Sequence, residues 1–382
     1  MTDGTINALL THLRERVQSG GGRPDEVLVH EERLGARPAR MLPLSPRLPP
    51  PLSNALRRRG VTGLYAHQTE AIQAVRDRCD VVITTPTASG KSYAFNLPVL
   101  ERLLLYPGKR ALYLYPTKAL MNDQLRGLQD LIAQIDGPVR PRVGILSGDL
   151  SFDERGPLRR SPPDILLANP DIVHHDLLRR HSEWQGFLAT LDVLVLDELH
   201  DYRGVFGSHV ALILRRLLRV AAHYGATPTC IAASATIANP EELAGELFGR
   251  TFRVVDGDGA GAGARRFVVW RPPLRGPVAG NRHAGVAGEA AMLFVELVQR
   301  GRRVILFGPS RAAVEGIFAE ARAKLGPAWE SRISAYRSGY TPAERVRIES
   351  DLREGRIHGV VTTNALELGI DIGALDTAIL AG

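Results

Sequence analysis

Two groups of residues in this sequence have the types and spacing for phosphate chemistry. The first lies in Thr84–Leu100, TTPTASGKSYAFNLPVL, where small residues lead into Gly90-Lys91-Ser92. Val81-Val82-Ile83 before it reads as a buried strand, and the apolar spacing after it reads as helix. A strand, a small-residue loop and a helix start together let backbone N–H groups converge on phosphate oxygens. Thr87, Ala88, Ser89 and Gly90 form the cradle in this reading. Lys91 reaches the β/γ-phosphates and the Ser92 hydroxyl meets Mg2+. Thr85 stands where the GxxxxGK[ST] pattern has its first glycine. The second group closes the apolar run Leu194-Val195-Leu196 with Asp197-Glu198. Adjacent carboxylates at the carboxyl end of a strand suit two roles: Asp197 holds the metal and Glu198 orients the attacking water. The alternative is an N-cap Asp followed by a first-turn Glu, without chemistry.

The elements that must position these groups alternate between strand and helix from about Val61. Strands are expected at Val81–Thr84, Ala111–Tyr115, Val143–Leu146, Ile165–Ala168, Val193–Leu196 and Cys230–Ser234. Helices are expected at Lys118–Ile135, Asp171–Arg179, His209–Tyr224 and Pro240–Phe248, with one or two helical turns on each side of Pro98. Val/Ile/Leu-rich strands between helices predict a parallel sheet covered on both faces. A second alternation runs from Glu289 to Leu380: helices Glu289–Gln299, Arg311–Lys324 and Pro342–Arg353, and strands Val304–Phe307, Ile333–Tyr336, Val360–Thr363 and Thr377–Leu380. Upstream, Ile6–Val17 has helical periodicity, Arg37–Leu52 reads as a Pro/Arg-rich connector over the first domain, and Ser53–Arg59 as a short helix. The expected division is 1–60, 61–272 and 281–382, following the Gly-rich stretch 256–263 and the Pro/Gly cluster after it.

Composition narrows the class further. With 44% hydrophobic and 23% charged residues, 382 residues form an ordinary globular chain of two domains. The formal charge of +7 favours an anionic partner such as nucleic acid. Two cysteines, Cys79 and Cys230, make neither a disulfide framework nor a four-ligand zinc site, and both read as reduced core thiols. The first residues, MTDGTINALLTHLRERV, lack the pattern of a signal peptide, and no apolar run reaches spanning length, so a cytoplasmic protein without membrane contact is expected.

Two further motifs carry a family resemblance. DELH, Asp197–His200, is a variant of the DEAH box, and Ser234-Ala235-Thr236 resembles the SAT tripeptide of superfamily-two helicases. LYAHQTEAI, Leu64–Ile72, resembles the Q-motif, PTKAL at Pro116 motif Ia, FGPSR at Phe307 motif IV, and TTNALELGIDIG, Thr362–Gly373, motif V. The ordered set is similar to the MrfA-like DNA-repair helicases, with Lhr-type helicases more distant, over residues 30 to 382.

The resemblance implies an α/β fold of two RecA-like domains in tandem, the second incomplete, working with ATP and Mg2+. Lys91, Asp197 and Glu198 would be catalytic, and Gln68 would select adenine. Gly369 and Asp371 would meet the nucleotide from the second domain, Asp371 closing over the ribose. His200, Ser234 and Thr236 would couple hydrolysis to domain closure. Pro116, Thr117, Lys118, Gly148, Asn169, Ser310 and Thr363 would track a nucleic-acid strand, single-stranded or tailed duplex DNA. For Thr117, Asn169 and Ser310, helix capping is an alternative that needs no nucleic acid. The resemblance also implies 3′→5′ movement and a role in repair. The family carries an arginine-bearing QxxGRxGR motif VI beyond the strand where this sequence stops, so a fragment with weak hydrolysis is expected. An RNA-dependent ATPase and a non-catalytic ATP-binding clamp are the alternatives.

Overall fold

The computed structural model describes residues 3–19, 23–44, 48–86, 89–257, 259–273, 285–337, 339–363, 366 and 375–382. The chain forms two units, one of Arg37–Ala262 and one of Met1–Ala36 with Gly263–Gly382.

In Arg37–Ala262, a seven-stranded sheet runs Arg253–Val255, Val81–Thr84, Thr229–Ser234, Leu191–Leu196, Arg110–Leu114, Ile165–Ala168, Val143–Leu146. Every neighbouring pair is parallel. The period-two pleat sends alternate residues of each strand into two separate cores. Val81, Ile83, Tyr113, Leu167, Val193 and Val195 meet the helices Ala66–Arg76, Lys91–Leu105 and Lys118–Ala133 on one face. Val82, Leu112, Leu114, Leu166, Leu194 and Leu196 meet Gly204–His223 and Pro240–Phe248 on the other. That double coverage is why the strands read as continuous apolar runs.

The second unit has a four-stranded sheet in the order Ile333–Tyr336, Gly359–Thr362, Val304–Phe307, Thr377–Leu380, again parallel throughout. Helices Val286–Gln299 and Arg311–Leu325 bury Phe294, Val314 and Ile317 against it. The expected architecture of two RecA-like parallel-sheet units is the one found.

Several local expectations differ from what is seen. Helix Lys91–Leu105 runs unbroken through Pro98. Pro98 and its neighbours Leu97, Val99 and Leu100 are buried, so packing outweighs the one lost backbone hydrogen bond. The segment expected as one helix from Asp171 is a short α-turn, Pro170–Ile172, running into a π-helical stretch, Val173–Leu178. The connector after Arg37 is structured: Met41–Pro43 pairs antiparallel with Gly63–Tyr65, and Leu44, Leu48 and Leu52 enter the first core. Cys230 is buried as expected, whereas Cys79 is exposed.

The units also divide the chain at points other than residues 60 and 272. Helix Asp3–Ser19 belongs with the four-stranded sheet, where Leu9 packs on its core. His12 lies 2.6 Å from Glu296, and Arg16 lies 3.1 Å from Glu289. Strand Leu28–Leu34 pairs antiparallel with Arg265–Trp270, which draws the boundary back to residue 262. Among the described residues, no helix is long and apolar enough to cross a membrane.

Candidate functional site

Strand Val81–Thr84 delivers the chain to the phosphate loop at its carboxyl end. Thr85 is fully buried there, its hydroxyl 2.7 Å from that of Ser89. The residue standing at the first-glycine position therefore closes the loop by a hydroxyl pair, a use that spacing alone did not signal. Thr87 and Ala88, expected in the cradle, lie outside the described residues.

Gly90 ends the loop with φ +77° and caps the helix that begins at Lys91. A Cβ at Gly90 would stand 2.6 Å from Gln68 Nε2, so backbone angle and close approach both require glycine. The long helix behind it aims its first N–H groups and the positive end of its dipole past Lys91 and Ser92.

Gln68 is only 2% exposed. Its Nε2 donates to the Gly90 carbonyl and its Oε1 accepts from the Tyr65 N–H, both at 2.9 Å. The amide thus ties the phosphate loop to the segment ahead of helix Ala66–Arg76. It keeps one N–H and one lone pair beyond these bonds.

Strand Leu191–Leu196 ends two places away across the sheet, with Thr229–Ser234 between them. Asp197 is 5% exposed, and its Oδ1 accepts from the Glu198 N–H at 2.9 Å. Glu198 itself sits in the left-handed region, φ +53°. For a glutamate this is an uncommon backbone, and such positions gather at functional turns. Burial, and then the charge of Glu198, push the Asp197 carboxyl up to about 7; the Glu198 N–H and the Lys91 charge oppose them. Asp197 is therefore a buried oxygen donor short of positive charge.

That donor set fits a hard divalent cation. Ser92 and Asp197 would hold Mg2+, with phosphate oxygens completing the shell. Among the described residues, no group of three or more His, Cys, Asp or Glu side chains is placed to hold a metal by itself.

The coupling residues expected from the sequence meet in part. His200 Nδ1 lies 3.3 Å from Ser234 Oγ and 3.4 Å from Glu198 Oε2. The Thr84 hydroxyl donates to the Ala235 carbonyl at 3.2 Å, joining the phosphate-loop strand to the same segment. Thr236 is exposed in that segment.

In the first unit, the residues expected on nucleic acid follow the carboxyl ends of Arg110–Leu114, Val143–Leu146 and Ile165–Ala168, the three strands on one side of the sheet. Thr117 follows Pro116 and caps helix Lys118–Ala133, its Oγ1 accepting from Leu120 N–H. Asn169 Oδ1 accepts from Ile172 N–H at 2.9 Å, and in the second unit Ser310 Oγ accepts from Ala313 N–H at 3.2 Å. All three therefore perform the capping role. Lys118 Nζ lies 2.5 Å from Asp149 Oδ1, next to Gly148, whose carbonyl accepts from Arg155. Asp149 escaped the sequence reading because a lone surface aspartate carries no signal. Thr363 follows strand Gly359–Thr362, and its carbonyl accepts from the Thr362 hydroxyl at 2.8 Å. Gly369 and Asp371 lie outside the described residues.

Comparison with known proteins joins this geometry to a family. Residues 65–243 match the DEAD/DEAH box helicase family, and residues 289–382 match the helicase conserved C-terminal domain. The ATP-dependent helicase YprA of Bacillus subtilis is 40% identical over 97% of this chain and 49% of its own length. The ATP-dependent helicase hrq1 of Schizosaccharomyces pombe is 35% identical over 89% of this chain and 32% of its own. A crystal structure of the helicase MrfA bound to DNA and AMPPNP superposes with a TM-score of 0.88 at 38% identity, covering 96% of this chain and 51% of that one. Lhr of Mycobacterium smegmatis, bound to single-stranded DNA and AMP-PNP, gives 0.70 at 25% identity, over 89% of this chain and 44% of its own. The chain spans about half, or less, of the length of these relatives. With the phosphate loop, the DELH box and the two parallel sheets in place, the chain belongs to the superfamily-two DEAD/DEAH box helicases, in their MrfA-like branch.

Proposed function

We propose that this chain carries the motor of an ATP-driven DNA helicase that moves 3′→5′ along one strand and serves DNA repair. The observation that carries the reading is the meeting, at one sheet edge, of the Gly90–Lys91 helix start with the buried, charge-deficient Asp197 and the strained Glu198.

In this reading ATP is the fuel, and Mg2+ held by Ser92 and Asp197 supplies charge stabilisation to the phosphates. Glu198 orients a water against the γ-phosphorus and takes up its proton. The new P–O bond forms as the bond to the ADP oxygen breaks, and Lys91 stabilises the charge that passes to the β-phosphate. Gln68 holds the loop through the Gly90 carbonyl and has hydrogen-bonding capacity left for an adenine edge. His200 and Ser234 relay the state of Glu198 to the segment after Thr229–Ser234.

Binding of a DNA strand by Thr117, Lys118, Gly148 and Asn169 of the first unit is supported by their positions after parallel strands and by the DNA seen in MrfA; within the second unit, Ser310 and Thr363 likewise follow parallel strands. Backbone contacts of this kind are blind to sequence and weaken steeply with salt. Repair and polarity rest on the family resemblance.

The test is steady-state ATP turnover with no nucleic acid, with single-stranded DNA and with single-stranded RNA. Stimulation by DNA over RNA, abolished by Lys91→Ala and by Glu198→Gln, is expected. Turnover indifferent to both substitutions would overturn the motor reading, and preference for RNA would overturn the DNA reading.

A further inference from the structure

The phosphate site leaves unused the short apolar turn that follows it. After the turn Leu199–Asp201 the chain enters helix Gly204–His223, whose first turn carries Val205 and Phe206. Val205 is 77% exposed and Phe206 39%. The Phe206 ring stacks on Tyr202, with centroids 5.5 Å apart and planes within 21° of parallel. Tyr202 is 1% exposed, and its buried hydroxyl has no hydrogen-bond partner among the described residues. Burial and the nearby charges of Asp197, Asp201 and Glu198 raise its phenol well above the usual range. An exposed aromatic ring is therefore backed by a buried one that feels the carboxylates of the box.

The turn joining them is hydrogen-bonded and closely packed. Asp201 N–H donates to the Glu198 carbonyl at 2.9 Å, and Gly207 N–H to the Arg203 carbonyl at 3.0 Å. A Cβ on Gly207 would stand 2.3 Å from the Tyr202 carbonyl oxygen, so the helix start is pressed against the Tyr202 backbone. The position of the turn also matters. Strand Leu191–Leu196, from which it issues, separates the phosphate-loop side of the sheet from the strands that lead to Thr117, Gly148 and Asn169. Arg203, exposed at the same turn, offers a cation beside the apolar pair.

We propose that Phe206, backed by Tyr202 and flanked by Val205, is a stacking platform for one unpaired nucleobase of the bound strand. The proposal rests on the reading of this sheet edge as the strand-binding face. A nucleobase suits it because every base has an apolar π-face for Phe206, while the strand's phosphates complement Arg203. Through Tyr202 and the Glu198–Asp201 turn, an occupied platform would stiffen the residues that carry the hydrolytic carboxylates. Backbone contacts elsewhere on the edge would hold the strand without sensing whether a base is present.

The test compares oligothymidylate of about a dozen nucleotides with the same strand carrying abasic sites, within the site sizes usual for single-strand binders. Binding is read by fluorescence anisotropy at several salt concentrations. The unmodified chain should prefer the intact strand by at least about fivefold, the lower range for stacking of one base on an aromatic ring. Phe206→Ala, and the better-packed Phe206→Leu, should erase most of that preference and leave the salt dependence unchanged. Phe206→Trp should restore it, with tryptophan emission quenched by the intact strand more than by the abasic one. The same intact-to-abasic ratio in the unmodified chain and both non-aromatic variants would overturn the platform. Failure of the unmodified chain to bind either strand in a salt-dependent way would overturn the strand-binding edge itself.

Discussion

The bond between Gln68 and the Gly90 carbonyl makes a prediction about what a glutamine at this position does. Gln68→Ala leaves the Tyr65 N–H without its side-chain acceptor, and leaves the Gly90 carbonyl with the Tyr93 N–H as its remaining partner. An unpaired backbone group costs about 1–3 kcal/mol and a lost hydrogen bond about 0.5–1.5 kcal/mol, so about 1–3 kcal/mol is expected, with Tyr65 partly reachable by water. For a unit of this size, that lowers the melting temperature by roughly 2–12 °C. The Gly90 carbonyl lies directly before the helix start that faces phosphate, so its release should loosen any triphosphate, whatever the base. Gln68→Glu keeps an acceptor for Tyr65 but buries a carboxylate whose second oxygen faces the Gly90 carbonyl, so it should cost at least as much as Gln68→Ala. Thermal unfolding, with titrations of fluorescent ATP and GTP analogues, measures both effects. Equal weakening for the two nucleotides, together with the melting shift, is the expected result. Unchanged melting with a loss confined to ATP would refute the reasoning, because the amide would then act on adenine alone.

Three further outcomes follow from other contacts. Asp197 has a folded value near 7 against an ordinary 3.8, so its ionisation in the fold costs stability. Asp197→Asn should therefore gain melting temperature over the unmodified chain as pH rises from about 4 to 7 and then level off; an advantage independent of pH would contradict this. Asp149→Asn releases Lys118 from its ion pair and should tighten single-strand binding about two- to fivefold with a steeper salt slope; weaker binding in anisotropy titrations would show that Asp149 helps instead. Gly207→Ala forces a Cβ against the Tyr202 backbone and should cost about 1–3 kcal/mol in denaturant unfolding, whereas Gly186→Ala, with open space around it, should cost much less.

The sequence revealed most clearly the parts whose cause is local. Val81-Val82-Ile83 before a small-residue loop, and Leu194-Val195-Leu196 before two acids, declare a strand, its burial and its polar tip within a few residues. Elements decided by distant partners were harder to see. Nothing in Leu28–Leu34 announces that it will pair with Arg265–Trp270, because both strands alternate weakly and each is exposed over much of its length. Pro98 looked like a helix break because propensity is a local rule, whereas burial of its flanks is a tertiary fact. Within the site, Lys91 and Asp197–Glu198 were legible as residue types in a pattern. The tie from Gln68 to Gly90 and the hydroxyl pair of Thr85 and Ser89 became visible only with the loop folded.

Helix Asp3–Ser19 and strand Leu28–Leu34 dock on a unit whose remaining residues begin at Gly263. On a ribosome, the seven-stranded unit is therefore complete while these first elements still await a mate that has not been made. They must wait without aggregating, and their late docking is a long-range closure of the slow kind. A truncated version starting near Arg37 would keep the seven-stranded unit whole, yet it would leave the four-stranded unit without a helix, a paired strand and the Arg16–Glu289 contact. The lesion would surface in the half of the molecule farthest along the sequence from the cut.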